Sequence, residues 1–249
     1  EIVGGVGIRH ILSKEHDFNY GVVTETTNLN VANISVGTGQ GIIRLWGDTL
    51  YFNPHPNAIY GMAKLMEILG PAYTLQQPGN WMTYEPCPDL PGFPRFNVRK
   101  ISSGQDYCEI FFDSRIVPGQ TNASLTADLE AAVEKIEQEI TGLRGEVLVP
   151  INSDTTNFPA MPATPADHPL VKVIAAAHAK VTGEQPGIGA GDRIGLASDA
   201  SHMKAAGIPA LDYGPGKHPR WPMSDECVKT ADIITATQTL VEALREMHS

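Results

Sequence analysis

Residues 31–46 and 96–116 carry the alternation of apolar and polar positions that is typical of β-strands. In the first stretch the alternating apolar residues are Ile34, Val36, Ile43 and Leu45. Gly37-Thr38-Gly39 separates the two halves of this run, so the pattern predicts a pair of strands hinged at those three residues.

The second stretch predicts two further strands, over 96–101 and 106–116. Along residues 106–116 the side chains of Cys108, Ile110 and Phe112 face one way, and those of Glu109, Asp113 and Arg115 face the other. This arrangement is typical of an antiparallel strand with one buried face and one solvated face.

Apolar positions at helical spacing predict two helices around these strands. The first is capped by Asn57, carries Ile59, Met62, Met66 and Leu69, and ends at Gly70-Pro71. The second follows the Pro118-Gly119 turn, carries Leu129, Val133, Ile136 and Ile140, and leads into a short strand at 145–150. The resulting order, β-α-β-β-α-β, is the signature of a ferredoxin-like sandwich.

Beyond residue 150 the pattern changes to that of an α/β unit, after a segment marked by Pro159, Pro162 and Pro165. We expect a helix capped by Asp167 with Pro169 in its first turn and Gly183 at its end. A short helix from Asp199 to Gly207, a buried strand over 208–213 and an amphipathic helix over 228–247 follow. The apolar residues of that last helix are Ile233, Leu240 and Leu244.

Composition and charge narrow the function classes. The 249 residues carry a formal net charge of −10 and a pI of about 5.2, which is the wrong sign for a phosphate-binding surface, so we expect no nucleic-acid partner. No apolar run reaches the roughly 18 residues needed to span a bilayer, so we expect a soluble protein with no membrane partner. The three cysteines are far apart and fit a reducing cytoplasm.

Two acidic residues beside tight turns are candidates for metal chemistry. Glu1 precedes the glycine-rich run at 3–7, and Glu25 lies in Thr24-Glu25-Thr26. Carboxylate oxygens on loops after adjacent strands can hold a divalent metal ion. On local pattern alone, most isolated glutamates are solvated surface groups, and this is the favoured reading of both residues.

The whole chain resembles the M20 family of metallopeptidases and amidohydrolases, in the group of acetylornithine deacetylase, succinyl-diaminopimelate desuccinylase and glutamate carboxypeptidase. The motifs that carry the resemblance are Thr24-Glu25-Thr26, Asp113-x-Arg115-x-x-Pro118-Gly119, Ser198-Asp199-Ala200, Gly207-Ile208-Pro209 and Tyr213-Gly214-Pro215-Gly216. The resemblance implies an α/β fold, a partial zinc-peptidase-like catalytic domain with an inserted ferredoxin-like α+β lid and dimerisation domain. The expected ranges are 1–30 and 151–249 for the catalytic domain and 31–150 for the lid.

The resemblance implies two zinc ions and assigns part of their ligand set. Glu25 matches an acidic metal ligand, and Glu1 matches either the general base or its metal-binding neighbour. The last family ligand is a His near Asp225-Glu226, where this chain has Trp221-Pro222. His218 is the nearby imidazole, and it is either a substitute ligand or a surface residue of a basic patch.

The lid of this family contributes a His that polarises the scissile carbonyl. At the matching position, four residues after Gly47, this chain has Tyr51, whose phenol can donate a hydrogen bond to an oxyanion. His55 is a rival for this role. Aromatic packing for Tyr51 and a turn position for His55 are the structural alternatives.

Three further segments are candidates for substrate binding. Arg115 matches the family's arginine that binds a substrate carboxylate, a task that suits a planar guanidinium, and its alternative is an ion pair with Asp113. Ser198 and Asp199 precede a predicted helix whose free N–H groups suit an anion, and helix capping by Asp199 is the simpler reading. Arg193 is a second candidate for anion contact.

Two hypotheses follow for the function. The first is a metal-dependent hydrolase of an amide bond next to a carboxylate, in an N-acyl amino acid or a small peptide, with the aromatic residues Trp81, Tyr84 and Phe93 of the predicted 78–95 loop favouring an aromatic or apolar group. It implies a homodimer through the lid and a separate N-terminal polypeptide that completes the catalytic domain. The second is a catalytically inactive M20-like fragment or divergent homologue that acts as a binding or oligomerisation module.

Overall fold

The computed structural model describes residues 5–14, 17–49, 56–70, 81–149, 157–191, 195–217 and 227–248. Within these residues the helices are α1 (Val6–Leu12), α2 (Ala58–Leu69), α3 (Asn122–Glu139), α4 (Pro169–Thr182), α5 (Ala200–Ala205) and α6 (Thr230–Met247). The strands described are β1 (Gly21–Val23), β2 (Val31–Ala32), β3 (Gly37–Trp46), β4 (Arg95–Ser103), β5 (Tyr107–Ile116), β6 (Arg144–Leu148), β7 (Ile188–Gly189) and β8 (Ala210–Asp212). The fold is therefore mixed α/β, as predicted.

The chain divides into two compact units. Gly5–Val36 and Phe158–Ser249 belong to one, which we call the discontinuous unit, and Gly37–Asn157 forms the other, the continuous unit. None of the helices in the described ranges is both long and apolar enough to cross a membrane.

The continuous unit is built on one antiparallel sheet with the strand order β4-β5-β3-β6. Its elements follow the chain as β-α-β-β-α-β, which confirms the predicted order and is the topology of a ferredoxin-like sandwich. Helices α2 and α3 pack against the sheet. The alternation predicted along β5 is confirmed, since Cys108, Ile110 and Phe112 are buried in this core.

The predicted hinge at residues 37–39 is wrong, because these residues lie inside strand β3. Gly37, Thr38 and Gly39 pair in register with Ile116, Arg115 and Ser114 of β5. A Cβ atom on Gly39 would lie 2.8 Å from a methyl carbon of Leu125, a buried residue of α3. Glycine therefore serves close helix packing at this position, and the strand does not bend there.

The start of helix α2 confirms the predicted cap. The Oδ1 atom of Asn57 accepts hydrogen bonds from the backbone N–H groups of Ile59 at 2.9 Å and Tyr60 at 3.2 Å. The predicted apolar face is only partly right, since Ile59 and Met66 are exposed. The face that packs is shifted toward Ala58, Gly61, Met62, Leu65 and Leu69.

Two aromatic residues of the Pro-rich loop are part of the core, which corrects their suggested role in substrate choice. Trp81 is 4% exposed, donates its indole N–H to the carbonyl oxygen of Leu69 at 3.1 Å and stacks edge-on against Phe96. Phe93 is buried as well. These two side chains are packed in the interior of the continuous unit and do not present a surface to a ligand.

The discontinuous unit contains a sheet of short strands in the order β1-β8-β2-β7. Strands β1 and β8 run parallel, and β2 is antiparallel to β8 and parallel to β7. Helices α4 and α6 pack together beside this sheet. The buried side chains of this layer include Val31, Leu170, Val171, Ile174, Leu211 and Tyr213.

Two details of these helices differ from the predictions. His168 caps α4 in place of Asp167, because its Nδ1 atom accepts a hydrogen bond from the N–H group of Leu170 at 3.2 Å. In α6 the buried residues are Ala236, Thr239 and Ala243, whereas Ile233 and Leu244 are exposed. Spacing alone favoured the larger apolar residues, but small side chains face the core.

Candidate functional site

Two of the sequence motifs meet at one edge of the β1–β8 strand pair. Glu25 lies two residues after the end of β1, and Gly214 lies two residues after the end of β8. Because these strands are parallel, their carboxyl ends lie at the same edge of the sheet. In open α/β sheets this is the edge at which ligands bind.

Hydrogen bonds from the backbone and from the Thr27 side chain join the two motifs. The hydroxyl of Thr27 donates to the carbonyl oxygen of Gly214 at 3.1 Å and accepts from the Gly214 N–H group at 3.0 Å, across 187 residues of sequence. The N–H groups of Asn28 and Leu29 donate to the carbonyl oxygens of Gly216 and Gly214, at 2.7 and 2.9 Å. The loop that carries Glu25 is thus fixed to the turn after β8.

Gly214 is required by the closeness of this contact. A Cβ atom built on it would lie 2.4 Å from the carbonyl oxygen of Glu25 and 3.1 Å from its backbone nitrogen. No side chain fits in that space without moving the loop. The Glu25 side chain is half-buried. It lies at the sheet edge on a loop whose backbone is hydrogen-bonded to the turn after β8.

A buried serine and a buried aspartate lie beside this loop. The Ser198 hydroxyl donates to the Oδ1 atom of Asp212, the last residue of β8, at 2.6 Å, and both side chains are fully buried. A short hydrogen bond to a carboxylate is stronger than one between neutral groups. Sequence reasoning missed Asp212, because an acid at the end of an apolar run also fits a turn.

The same serine, and not Asp199, caps helix α5. The N–H group of Ala200 donates to the Ser198 hydroxyl oxygen at 3.2 Å, whereas the Asp199 side chain makes no capping hydrogen bond although it occupies the N-cap position. The expectation of capping by Asp199 is therefore wrong. The Asp199 carboxylate lies on the side of α5 that faces Gly5, the residue directly before α1.

The turn before α1 places Gly5 against the start of α5. Gly5 has a φ of 70°, and a Cβ atom on it would lie 2.7 Å from Nε2 of His202 and 2.9 Å from Oδ1 of Asp199. The His202 ring also contacts Phe158, with ring centroids 5.1 Å apart. His202 is a second residue that sequence reasoning missed. Its spacing of three from Asp199, which places both on one side of a helix, is the signal that could have found it.

Arg115 lies in the continuous unit, and the structure shows its ion pair with Asp113. Asp113 also meets Arg99 at 3.4 Å and the side-chain amide of Gln40 at 3.4 Å. Two guanidinium groups therefore share one buried carboxylate. The ion pair fixes the direction of Arg115 and is compatible with a role in binding an anion.

The other predicted site residues lie outside the described residues. These are Glu1, Tyr51, His55, Arg193 and His218. In the part of the chain that is described, no three His, Cys, Asp or Glu side chains form a group that could hold a metal ion. Glu25 is the described member of the predicted ligand set, and its carboxylate at the sheet edge is suitable donor chemistry for a divalent cation.

A buried hydrogen-bond chain supports the turn after β8. Nδ1 of His178 lies 2.7 Å from the Tyr213 hydroxyl, which donates to the Thr239 hydroxyl at 3.2 Å. Burial lowers the pKa of His178, an effect that Glu184 partly opposes. Burial likewise raises the pKa of the Tyr213 phenol. Both groups are therefore neutral near pH 7, and they join β8 to helices α4 and α6 directly before Gly214.

The sequence matches the profile described as Peptidase family M20/M25/M40 over residues 1–246. No curated protein matches the chain. Among solved structures, aminopeptidase PepT from Bacillus cereus aligns with a TM-score of 0.72 and 17% identity, over 99% of this chain and 62% of that one.

Two further structures show the same fold. A tripeptidase from Staphylococcus aureus aligns with a TM-score of 0.71 and 16% identity, over 98% of this chain and 61% of its own. A Bacillus subtilis protein described as a dinuclear metal binding peptidase from the M20 family aligns with a TM-score of 0.59 and 12% identity, over 98% and 62%. The chain thus spans about three fifths of the length of these structures.

Proposed function

Because the chain belongs to peptidase family M20/M25/M40, we propose that it acts in a metal-dependent hydrolase. The reaction is cleavage of an amide bond next to a carboxylate, in an N-acyl amino acid or a small peptide. The aminopeptidase and tripeptidase with the same fold support a peptide as the substrate.

The observation that carries this proposal is the fixed position of Glu25. Its loop is joined to the turn after β8 by four hydrogen bonds to Gly214 and Gly216. An acid that served only as a solvated surface group would need no such support from a glycine 189 positions later in the sequence, whereas a metal ligand gains affinity when its backbone is held.

Glu25, Glu1 and His218 are the residues that we propose to hold the metal. The proposed cofactor is zinc, with two ions in accordance with the dinuclear metal binding peptidase from Bacillus subtilis. Zinc supplies Lewis-acid chemistry for amide hydrolysis when bound. Carboxylate oxygens and a neutral imidazole nitrogen are its usual ligands besides thiolates.

The chain's own groups have separate tasks in this proposal. Glu1 moves the proton from the attacking water to the leaving amine, if it is not itself a ligand. Tyr51 or His55 donates a hydrogen bond to the developing oxyanion. Arg115 binds the substrate carboxylate, with Arg193 as a second candidate. The N–H groups of Ala200, Ser201 and His202 already donate to Ser198 and Asp199, so they are not offered to an anion.

We further propose that the continuous unit serves as the lid and dimerisation domain. Its β-α-β-β-α-β order supports a separately folded insertion. Strands β4 and β6 lie at the edges of the sheet within the described residues and offer hydrogen-bonding groups to a second copy. Sedimentation equilibrium of the purified chain tests this assignment. A monomer at all concentrations contradicts it.

Metal binding and hydrolysis by the purified chain test the main proposal. We expect zinc to bind after dialysis against ZnCl₂, as measured by plasma mass spectrometry, and a panel of N-acyl amino acids and dipeptides to be hydrolysed. Glu25→Gln is expected to lower both zinc content and rate, the rate by on the order of a hundredfold. Glu130→Gln, the same change at an exposed position of α3, serves as the control.

If Glu25→Gln binds zinc as the unchanged chain does, Glu25 is not a ligand and the proposal fails. If the unchanged chain binds no zinc and hydrolyses no member of the panel, the binding or oligomerisation module is the better description. In that case Arg115 would bind an anion and take no part in catalysis.

A further inference from the structure

A small pocket lies at the opposite edge of the β1–β8 strand pair from Glu25. It has a volume of about 190 Å³ and is lined by residues that include Thr164, His168, Lys204, Ile208 and Pro209. Pro209 directly precedes β8, and its carbonyl oxygen accepts a hydrogen bond from Gly21 at the start of β1 at 2.9 Å. The pocket is thus at the amino ends of the two parallel strands.

Lys204 provides the charge in this pocket. Its ammonium group donates to the carbonyl oxygen of Pro162 at 2.6 Å and to the hydroxyl of Thr164 at 2.8 Å. Thr164 is 2% exposed and donates its own proton to the carbonyl oxygen of Ala210 at 2.9 Å, so its oxygen is fixed as an acceptor. Two of the three ammonium protons are held in this way, and one is left for a ligand.

Within the described residues, no carboxylate forms a salt bridge with Lys204. Burial without a counter-charge lowers the pKa of its ammonium group. Lys204 is partly buried; a partly buried cation without a negative partner is less well solvated than one in water, and an anion bound beside it reduces that cost. The position therefore favours a negatively charged ligand.

His168 adds a second hydrogen-bond donor to the lining. Its Nδ1 atom accepts the N–H group of Leu170, so the neutral ring carries its proton on Nε2. The ring is held edge-on by Tyr20, with centroids 5.7 Å apart. His168 also stands at the start of α4, a helix of 14 residues whose N-terminus favours negative charge.

The rest of the lining is apolar. Pro165, Ile208 and Pro209 contribute hydrocarbon surface, and none of the described residues in the lining is Asp or Glu. The volume is below the roughly 300–1,000 Å³ of pockets that hold drug-sized ligands. A ligand for this pocket is therefore small, carries one negative group and has an apolar body.

We propose that this pocket binds a small organic monocarboxylate, with its carboxylate between Lys204 and His168 and its hydrocarbon part against Ile208 and the two prolines. The site is separate from the proposed hydrolytic site and does not depend on that function. Inorganic phosphate offers the charge without the apolar body and is the rival ligand.

Titration of the purified chain with isobutyrate tests the proposal. We expect saturable binding with a Kd on the order of 1 mM, as expected for a ligand of six heavy atoms, and a shift of the Ile208 methyl signal in an isoleucine-labelled methyl NMR spectrum. The exposed Ile188 should not shift. Isobutyramide, which has the same shape without the charge, should cause no saturable shift.

Lys204→Met removes the charge with little change in length, and we expect it to raise the Kd for isobutyrate at least about tenfold. Lys172→Met, the same substitution at an exposed position of α4, should leave the Kd unchanged. Lys204→Arg should restore binding if loss of charge, and not misfolding, explains the first variant.

Three results would overturn the proposal. One is equal binding of isobutyrate and isobutyramide to the unchanged chain, which requires no variant to interpret. A second is binding of inorganic phosphate with a lower Kd than isobutyrate, which would make the pocket a phosphate site. The third is the lack of any Ile208 shift at saturating isobutyrate.

Discussion

The carbonyl oxygen of Glu25 lies 2.4 Å from the position that a Cβ atom would occupy on Gly214. Two sequence motifs that were recognised separately are therefore parts of one structure, in which a glycine after β8 makes room for the loop after β1. The position of the candidate metal ligand depends on a residue that has no side chain.

Replacing Gly214 by Ala should displace the Glu25 loop, because a methyl group cannot share space with the Glu25 carbonyl oxygen. We expect the free energy of unfolding to fall by about 1–3 kcal/mol, and bound zinc to fall with it. Urea unfolding and metal analysis measure the two effects. Gly7→Ala is the control, since a Cβ atom there meets no atom within 4 Å. Equal free energies of unfolding for the two variants would show that the Glu25 loop moves to accommodate the added methyl group without loss of stability.

Ser198→Ala should destabilise the discontinuous unit, because it removes the hydrogen bond at 2.6 Å to the buried Asp212 carboxylate. We expect a loss of about 1.5–3 kcal/mol, the range for hydrogen bonds to charged groups. Ser201→Ala is the matched control, since that buried hydroxyl donates to a neutral carbonyl oxygen at 2.8 Å. Chemical denaturation should show the larger loss for Ser198→Ala, and the reverse order would contradict the importance of Asp212.

Arg115→Lys separates the two interpretations of this arginine. If Arg115 binds the substrate carboxylate through its planar guanidinium, KM should rise by about tenfold with a small change in kcat, and only for substrates that keep the carboxylate. Arg99→Lys changes the other arginine beside Asp113 and should leave KM unchanged. A similar loss of stability in both variants with no change in KM would show that the Asp113 ion pair is the whole role of Arg115.

His178 should make the stability of the chain depend on pH. Its pKa in the folded chain is lowered by burial, so the unfolded chain binds more protons as the pH falls through its ordinary value near 6.5. The stability that this group contributes is therefore fully present above that pH. It is lost as the pH falls from that value to the lowered pKa of the folded chain. Thermal unfolding between pH 5 and 8 should show a steeper loss for the unchanged chain than for His178→Gln.

Parallel slopes for the two proteins would mean that His178 has no part in the pH dependence.

At high pH the change of stability with pH has the opposite sign for Tyr213. Its pKa is raised by burial, so we expect stability to fall as the pH rises above its ordinary value near 10.

The continuous unit was predictable because each of its elements has a local signal. The Asn57 cap, the alternation along residues 106–116 and the Pro118-Gly119 turn each fix one boundary. The errors came from features that only packing decides. Gly39 was interpreted as a hinge although it makes room for Leu125, and Trp81 was assigned to substrate choice although its indole is bonded inside the core.

The discontinuous unit was harder to predict, because its strands have two or three residues and no measurable period. Its candidate site residues Glu25 and Ser198 were predicted from family motifs and stay predictions. Asp212, His202 and the Lys204 pocket were missed, since their importance arises from contacts between segments that are distant in sequence. Of these, His202 alone has a local signal, its spacing of three from Asp199.

The separation of 187 sequence positions between Thr27 and Gly214 also sets an order of events during synthesis on the ribosome. Residues 37–157 belong to a compact unit of their own, and all of them are translated before the turn at 214–216. The Glu25 loop reaches its final position only after the turn at 214–216 has been translated. The proposed metal site can thus be completed only late in synthesis.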